Sequence, residues 1–151
     1  MNQKTIRRQD GINLIELMIV VAIISIIAAV AYPAYARYVA DARRADCSGG
    51  LAALANAMER HYSINGSYLG AAAAGADTGA PAVFGTACPI DGGTANYNLT
   101  ISAATASTYT VQAAPTGPQA GDRCGTLTLT NTGVKGVTGA AAGNDWQACW
   151  R

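Results

Sequence analysis

From Ile12 to Ala31 every residue is apolar except Asn13, Glu16 and Ser25. No other stretch restricts the fold so strongly. Roughly 20 apolar residues in a helix span the hydrocarbon core of a bilayer, so the segment is read as a helix that enters or crosses a membrane. Glu16 restricts the reading further. A carboxylate at bilayer depth costs about 2.5–3.5 kcal/mol even on the gentler insertion scales. Either a partner offsets that cost or Glu16 lies outside the hydrocarbon.

The segment before it carries Lys4, Arg7 and Arg8 against Asp10. Such a basic leader stays on the cytoplasmic side under the positive-inside rule. A cleavable secretory signal would use the same leader, and Ala34-Tyr35-Ala36 has the form of its cleavage site. However, the apolar run exceeds the usual core of about 7–15 residues, and signal cores rarely hold an acid. Arg7-Arg8 as a twin-arginine signal lacks supporting neighbours. A plain transmembrane anchor leaves Glu16 without a role.

The chain has 151 residues, one domain's worth, and a net charge of +1. No basic field recruits nucleic acid by charge alone, although a local patch stays open. The cysteines are Cys47, Cys88, Cys124 and Cys149, with no C-x-x-C pair and a single histidine, so zinc-site spacing is absent. An even count downstream of an export-type N-terminus implies two disulfides in an oxidising compartment, and three pairings are open. His61 has no acidic or cysteine partner nearby in sequence and reads as an ordinary residue near a helix end. There is no phosphate-binding loop, metal cluster or Ser/His/Asp set. The chain is therefore read as having no catalytic residue, metal or cofactor.

Past Pro33, which would bend or loosen a helix, the pattern turns amphipathic. Cys47, Leu51, Leu54, Met58 and Tyr62 recur at helical spacing and form one apolar stripe. Gly49-Gly50 weakens the helix locally, by about 1 kcal/mol per glycine relative to alanine. Arg43, Arg44 and Asp46 read as a solvated face, with a subunit contact as the sharper alternative. Gly70 to Ala82 is rich in small residues and reads as a loop that buries little. Strands are expected at Asn96–Ile101, Thr108–Ala113 and Thr126–Thr130, each with one apolar face. Asn131-Thr132-Gly133 then turns the chain into Val134–Val137. The fold class is α+β: a long N-terminal helix, membrane-inserted in its first half and amphipathic in its second, packed on an antiparallel sheet. Trp146 and Trp150 near the C-terminus read as packing residues, with an adhesive surface as the alternative.

Gly11-Ile12-Asn13-Leu14-Ile15-Glu16, after a basic leader and before a long apolar helix, resembles the class III signal of type IV prepilins. Ile12 and Asn13 depart from the Phe and Thr that the family most often has there. Arg44 to Ala72 and Pro89 to Ile101 resemble fimbrial pilins of the type IVa class, minor pilins included. The resemblance implies the type IV pilin fold, with cleavage by a prepilin peptidase between Gly11 and Ile12 and N-methylation of Ile12. Residues 1–11 are then a leader, 12–35 a hydrophobic transmembrane and assembly helix, and 36–151 a periplasmic or extracellular head. Glu16 falls where the family places a glutamate, and Pro33 near its usual proline.

The chemistry of Glu16 fits this reading. An amine and a carboxylate are each costly in an apolar setting unless paired, and cleavage would create an amine for Glu16 to meet. The terminus of an adjacent subunit is the more useful partner, because a buried charge that needs a neighbour fixes axial register. Among the pairings we favour Cys47–Cys88, tying helix to loop, and Cys124–Cys149. The second has the support of the family, whose type IVa members close a C-terminal disulfide-bounded region. Such a bridge stabilises by roughly 3–4 kcal/mol on the chain-entropy model.

The implied function is a structural subunit, major or minor, of a type IV pilus serving adhesion, twitching motility or DNA uptake. Its implied partners are other pilin subunits, the prepilin peptidase, the inner membrane before assembly and the pilus assembly platform. The implied location is the inner membrane as a single-pass precursor, then the extracellular pilus. The seven basic residues after the leader make a thin case for DNA binding. The alternatives are a pseudopilin of type II secretion and, more distantly, a membrane-tethered periplasmic enzyme or binding domain.

Overall fold

The computed structural model describes residues 13–150. Helix α1 runs Leu14–Asn65, with Pro33 inside it. Its start is set locally. The Asn13 carbonyl accepts from the N–H groups of Glu16 and Leu17 at 3.0 and 3.2 Å, and its side-chain Oδ1 lies 3.4 Å from the Ile15 N–H. Asn at this place offers an acceptor to N–H groups that have no partner within the helix. The chain divides into two compact units, Met1–Tyr38 and Val39–Arg151, with the boundary inside α1.

In the first unit the described residues are all exposed and mostly apolar. The Ser25 hydroxyl folds back onto the Val21 carbonyl at 2.7 Å, so this polar group is satisfied within the helix.

The second unit is built on a five-stranded antiparallel sheet in simple sequence order: β1 (Ala87–Cys88), β2 (Tyr97–Ala104), β3 (Tyr109–Pro115), β4 (Thr126–Thr130) and β5 (Lys135–Thr138). Alternation fixes which face is buried. Leu99 pairs with Ala113, Ile101 with Val111, Val111 with Leu129 and Ala113 with Leu127. All of these are buried, while Thr100, Gln112 and Thr128 between them point to the other face. The stripe Cys47, Leu51, Leu54 and Met58 of α1 joins these residues in one core cluster. Short helix α2 (Trp146–Cys149) is capped by Asp145, whose side chain accepts from the Ala148 N–H.

Three details differ from the sequence reading. Strand β1 has no counterpart in it, being too short to carry a pattern. Tyr62 does not continue the buried stripe. It is exposed and its ring stacks on Tyr68 with centroids 4.6 Å apart, because Tyr68 returns from the following loop to fill the core position. The loop from Gly70 to Ala82 buries more than its composition suggests: Ala71, Ala72 and Pro81 are buried, and Ala72 bridges Pro81 while Gly79 bridges Ile101. Small side chains let the backbone itself lie close on the sheet.

Candidate functional site

Two regions hold the residues singled out from the sequence. The first is the N-terminal part of α1. Gly11 and Ile12 lie outside the described residues. Glu16 is in the first turn of α1 and exposed, where a carboxylate is favoured by the helix dipole. The helix continues through Pro33. Proline has no N–H, so the Ala29 carbonyl loses its backbone donor. The Arg37 Nε donates to the Pro33 carbonyl at 3.3 Å, one turn on.

The second region is a charged cluster in the head, where Arg44 corrects the sequence reading. Arg44 is buried, not solvated, with its side chain 5% exposed. Its Nε donates to Asp122 Oδ2 at 2.9 Å and its Nη2 to Asp122 Oδ1, a two-pronged contact. Its Nη1 donates to Asp41 Oδ1 at 3.0 Å, and Arg123 Nη2 donates to the same oxygen at 3.2 Å. The Tyr97 hydroxyl donates to Asp122 Oδ2 at 2.6 Å. Gln119, also buried, donates from Nε2 to the Ala40 carbonyl at 2.9 Å. One carboxylate from the turn before β4 thus ties α1 to the sheet.

The electrostatics follow from burial and partners. Burial alone pushes the Asp122 carboxyl up, but the hydrogen bonds from Arg44 and Tyr97, the Arg44 charge and the Cys124 N–H outweigh it. Asp122 is held below the usual carboxylate range. The bond to Asp122 raises Arg44 further above its ordinary value, against the opposing effect of burial. Burial first, then the bond to Asp122, pushes the Tyr97 hydroxyl well above its ordinary range. These groups satisfy one another, and the cluster holds elements together rather than offering a free acid, base or nucleophile.

All four cysteines are paired, Cys47 with Cys88 and Cys124 with Cys149. The first bridge fastens α1 to β1. The second fastens the turn before β4 to α2 and encloses β4 and β5. Beside each bridge stands a glycine that the packing requires. A Cβ at Gly50 would sit 3.0 Å from Cys88 Sγ and 3.4 Å from Ile90 Cδ1, so the first bridge packs against bare backbone. Gly125 has a φ of +59°, and a Cβ there would collide with the Thr138 carbonyl and Gly139.

Beside the second enclosure, Lys135 Nζ lies 5.2 Å from the ring centroid of Trp150, the residue after Cys149, and Trp150 Nε1 donates to the Gly136 carbonyl at 3.0 Å. Trp150 is a packing residue on β5, whereas Trp146 is exposed. His61 is structural: its Nε2 donates to the Leu69 carbonyl at 2.9 Å and its Nδ1 faces Asn65 at 3.2 Å, which holds the chain leaving α1. No grouping of His, Cys, Asp and Glu among the described residues is suited to a metal.

Against this geometry, the family model described as type IV minor pilin ComP, DNA uptake sequence receptor, matches residues 33–128. The chain belongs to this family of type IV minor pilins. A model of the prokaryotic N-terminal methylation motif matches residues 6–32 of the pilin. Among solved structures, the Neisseria meningitidis non-core minor pilin PilV has 20% identity and a TM-score of 0.48, covering 68% of this chain and 90% of its own. A type IV pilin from Shewanella oneidensis has 28% identity and a TM-score of 0.45, covering 74% of this chain and 98% of its own. No curated protein sequence matches the pilin. As a pilin with an N-terminal methylation motif and an apolar N-terminal helix, the chain is made as an inner-membrane precursor and assembles with other components into the pilus.

Proposed function

We propose that this minor pilin enters the filament through its N-terminal helix and presents a head that binds DNA for uptake. The observation that carries the reading is the match of residues 33–128, most of the head, to a family described as a DNA uptake sequence receptor. Charge distribution supports it. From Val39 to Asp122 acids outnumber bases, whereas the sequence from Arg123 onward holds Arg123, Lys135 and Arg151 against Asp145, with Arg123 already paired to Asp41. Binding to phosphates requires such a local excess of positive charge. Exposed Trp146 and Lys135 lie in the segment bounded by Cys124 and Cys149, and Trp150, which Lys135 faces, follows directly after it.

Assembly follows from the stem. Prepilin peptidase would cut between Gly11 and Ile12, removing residues 1–11, and Ile12 would be N-methylated. Residues 12–35 would serve as the membrane and assembly helix and 36–151 as the exposed head. The new amine would give Glu16 of a neighbouring subunit its partner and fix register, while Pro33, which frees one carbonyl, would let the stem adjust as it leaves the membrane for the assembly platform. The subunit itself would perform no catalysis and need no cofactor.

The DNA reading is tested with the mature full-length protein in detergent and a labelled DNA duplex. Binding should weaken steeply with salt. Lys135→Ala should reduce the slope of log K against log salt by about 1, the share of one neutralised phosphate. No binding at low salt, or binding indifferent to salt, would reject the receptor role while leaving the pilin assignment intact.

A further inference from the structure

We propose that Tyr32, Tyr35 and Tyr38 anchor the precursor helix in the outer headgroup layer of the membrane, and that this anchor sets Glu16 at the inner headgroup layer. The inference rests on the stem lying in the membrane before assembly. All three rings are exposed, 67–77% each, and none of their hydroxyls has a hydrogen-bond partner among the described residues. They close the apolar run, and tyrosine concentrates at membrane–water interfaces because its ring is apolar and its tip polar.

The spacing supplies the rest. At about 1.5 Å per residue, Tyr32, Tyr35 and Tyr38 stand roughly 24, 28 and 33 Å along the axis from Glu16. The hydrocarbon core is about 30 Å thick. With the tyrosines at one surface, Glu16 comes to the other, and no carboxylate has to sit at mid-bilayer. Side-chain direction helps at both ends. The Cβ bonds of a helix tilt toward its N-terminus, so the Glu16 carboxylate reaches toward the cytoplasm while the tyrosine rings lean back over the apolar run. Ser25, between them, is already bonded to Val21 and asks nothing of the lipid. Arg37 lies among the tyrosines, held at Nε by the Pro33 carbonyl, and its positive charge complements lipid phosphate.

The occupant of this surface in the precursor is therefore the phospholipid headgroup layer. The test uses isotope-labelled full-length precursor, uncleaved, in nanodiscs of phosphatidylethanolamine and phosphatidylglycerol containing a lipid with a gadolinium-bearing headgroup. Amide relaxation enhancement along α1 should have maxima at Glu16 and near Tyr35, with a minimum near Ile26. Replacing all three tyrosines by leucine should move both maxima about one helical turn toward the C-terminus, while replacement by tryptophan should leave them in place. A flat profile, a minimum at Glu16, or maxima unmoved in the leucine variant would each overturn the anchor.

Discussion

Asp122 accepts from Arg44, Tyr97 and the Cys124 N–H at once, and that concentration of donors gives one residue unusual leverage. Removing one partner of a buried ion pair strands the other and costs about 3–5 kcal/mol. Asp122→Asn should therefore lower the stability of the head by about that amount, read from chemical denaturation at neutral pH. The sign of the pH dependence follows from the depressed carboxyl. Its contribution is complete above the ordinary Asp value of about 3.9 and is lost as pH falls through the lower folded value. Wild type should lose stability below about pH 4, and Asp122→Asn should lose less over the same window. At the alkaline end, Tyr68, Tyr97 and Tyr109 are each raised chiefly by burial, so their contribution is lost as pH rises above about 10. Burial of Arg44 was within reach of the sequence. It stands one turn before Cys47 on the stripe Cys47, Leu51, Leu54 and Met58, so periodicity extended backwards places it inside. Its partner was not within reach, because nothing in the residues around Asp122 announces a partner so far along the chain.

At the scale of elements, the adjacent glycines of α1 separate two effects that sequence alone merges. Gly49 is exposed and nothing lies within 4 Å of a Cβ built on it. Gly49→Ala should stabilise by about 1 kcal/mol through helix propensity. Gly50 gains the same propensity but presses on Cys88 Sγ, which the bond to Cys47 prevents from moving aside. Gly50→Ala should then be net destabilising by up to about 2 kcal/mol, since overpacking costs about 1–3 against a propensity gain of about 1. Thermal melts of the two variants should move in opposite directions. The helix and β2, β3 and β4 were legible because apolar residues recur at the right period in each, and β5 because a turn at Asn131-Thr132-Gly133 precedes it. The buried loop at Ala71–Ala72 was not, since small residues carry no pattern to distinguish a packed backbone from a free one. The register of β2 on β3, with its irregularity between Ile101 and Ala103, likewise depends on partners distant in sequence.

For the whole molecule, the charged residues divide by task. Glu16 belongs to the stem, where the proposed role is assembly. The Arg44–Asp122 pair belongs to the head, where it closes the fold. Lys135, which forms no ion pair among the described residues, is a base left for a polyanion. Glu16→Val should leave the precursor inserted and processed but reduce its recovery in sheared pili severalfold, measured by immunoblot against membrane levels. Equal recovery would remove Glu16 from the assembly account. The motif from Gly11 to Glu16 is what directs attention to the stem, because an acid near the start of a long apolar run calls for a partner. The head's choice of ligand is less legible, being spread over residues far apart in sequence.

The most direct test of the account is the identity of the first residue in the filament. Mass spectrometry of the protein recovered from sheared pili should find a chain that begins at N-methylated Ile12, with both Cys47–Cys88 and Cys124–Cys149 intact. A chain that begins at Met1, or after Ala36, would contradict it.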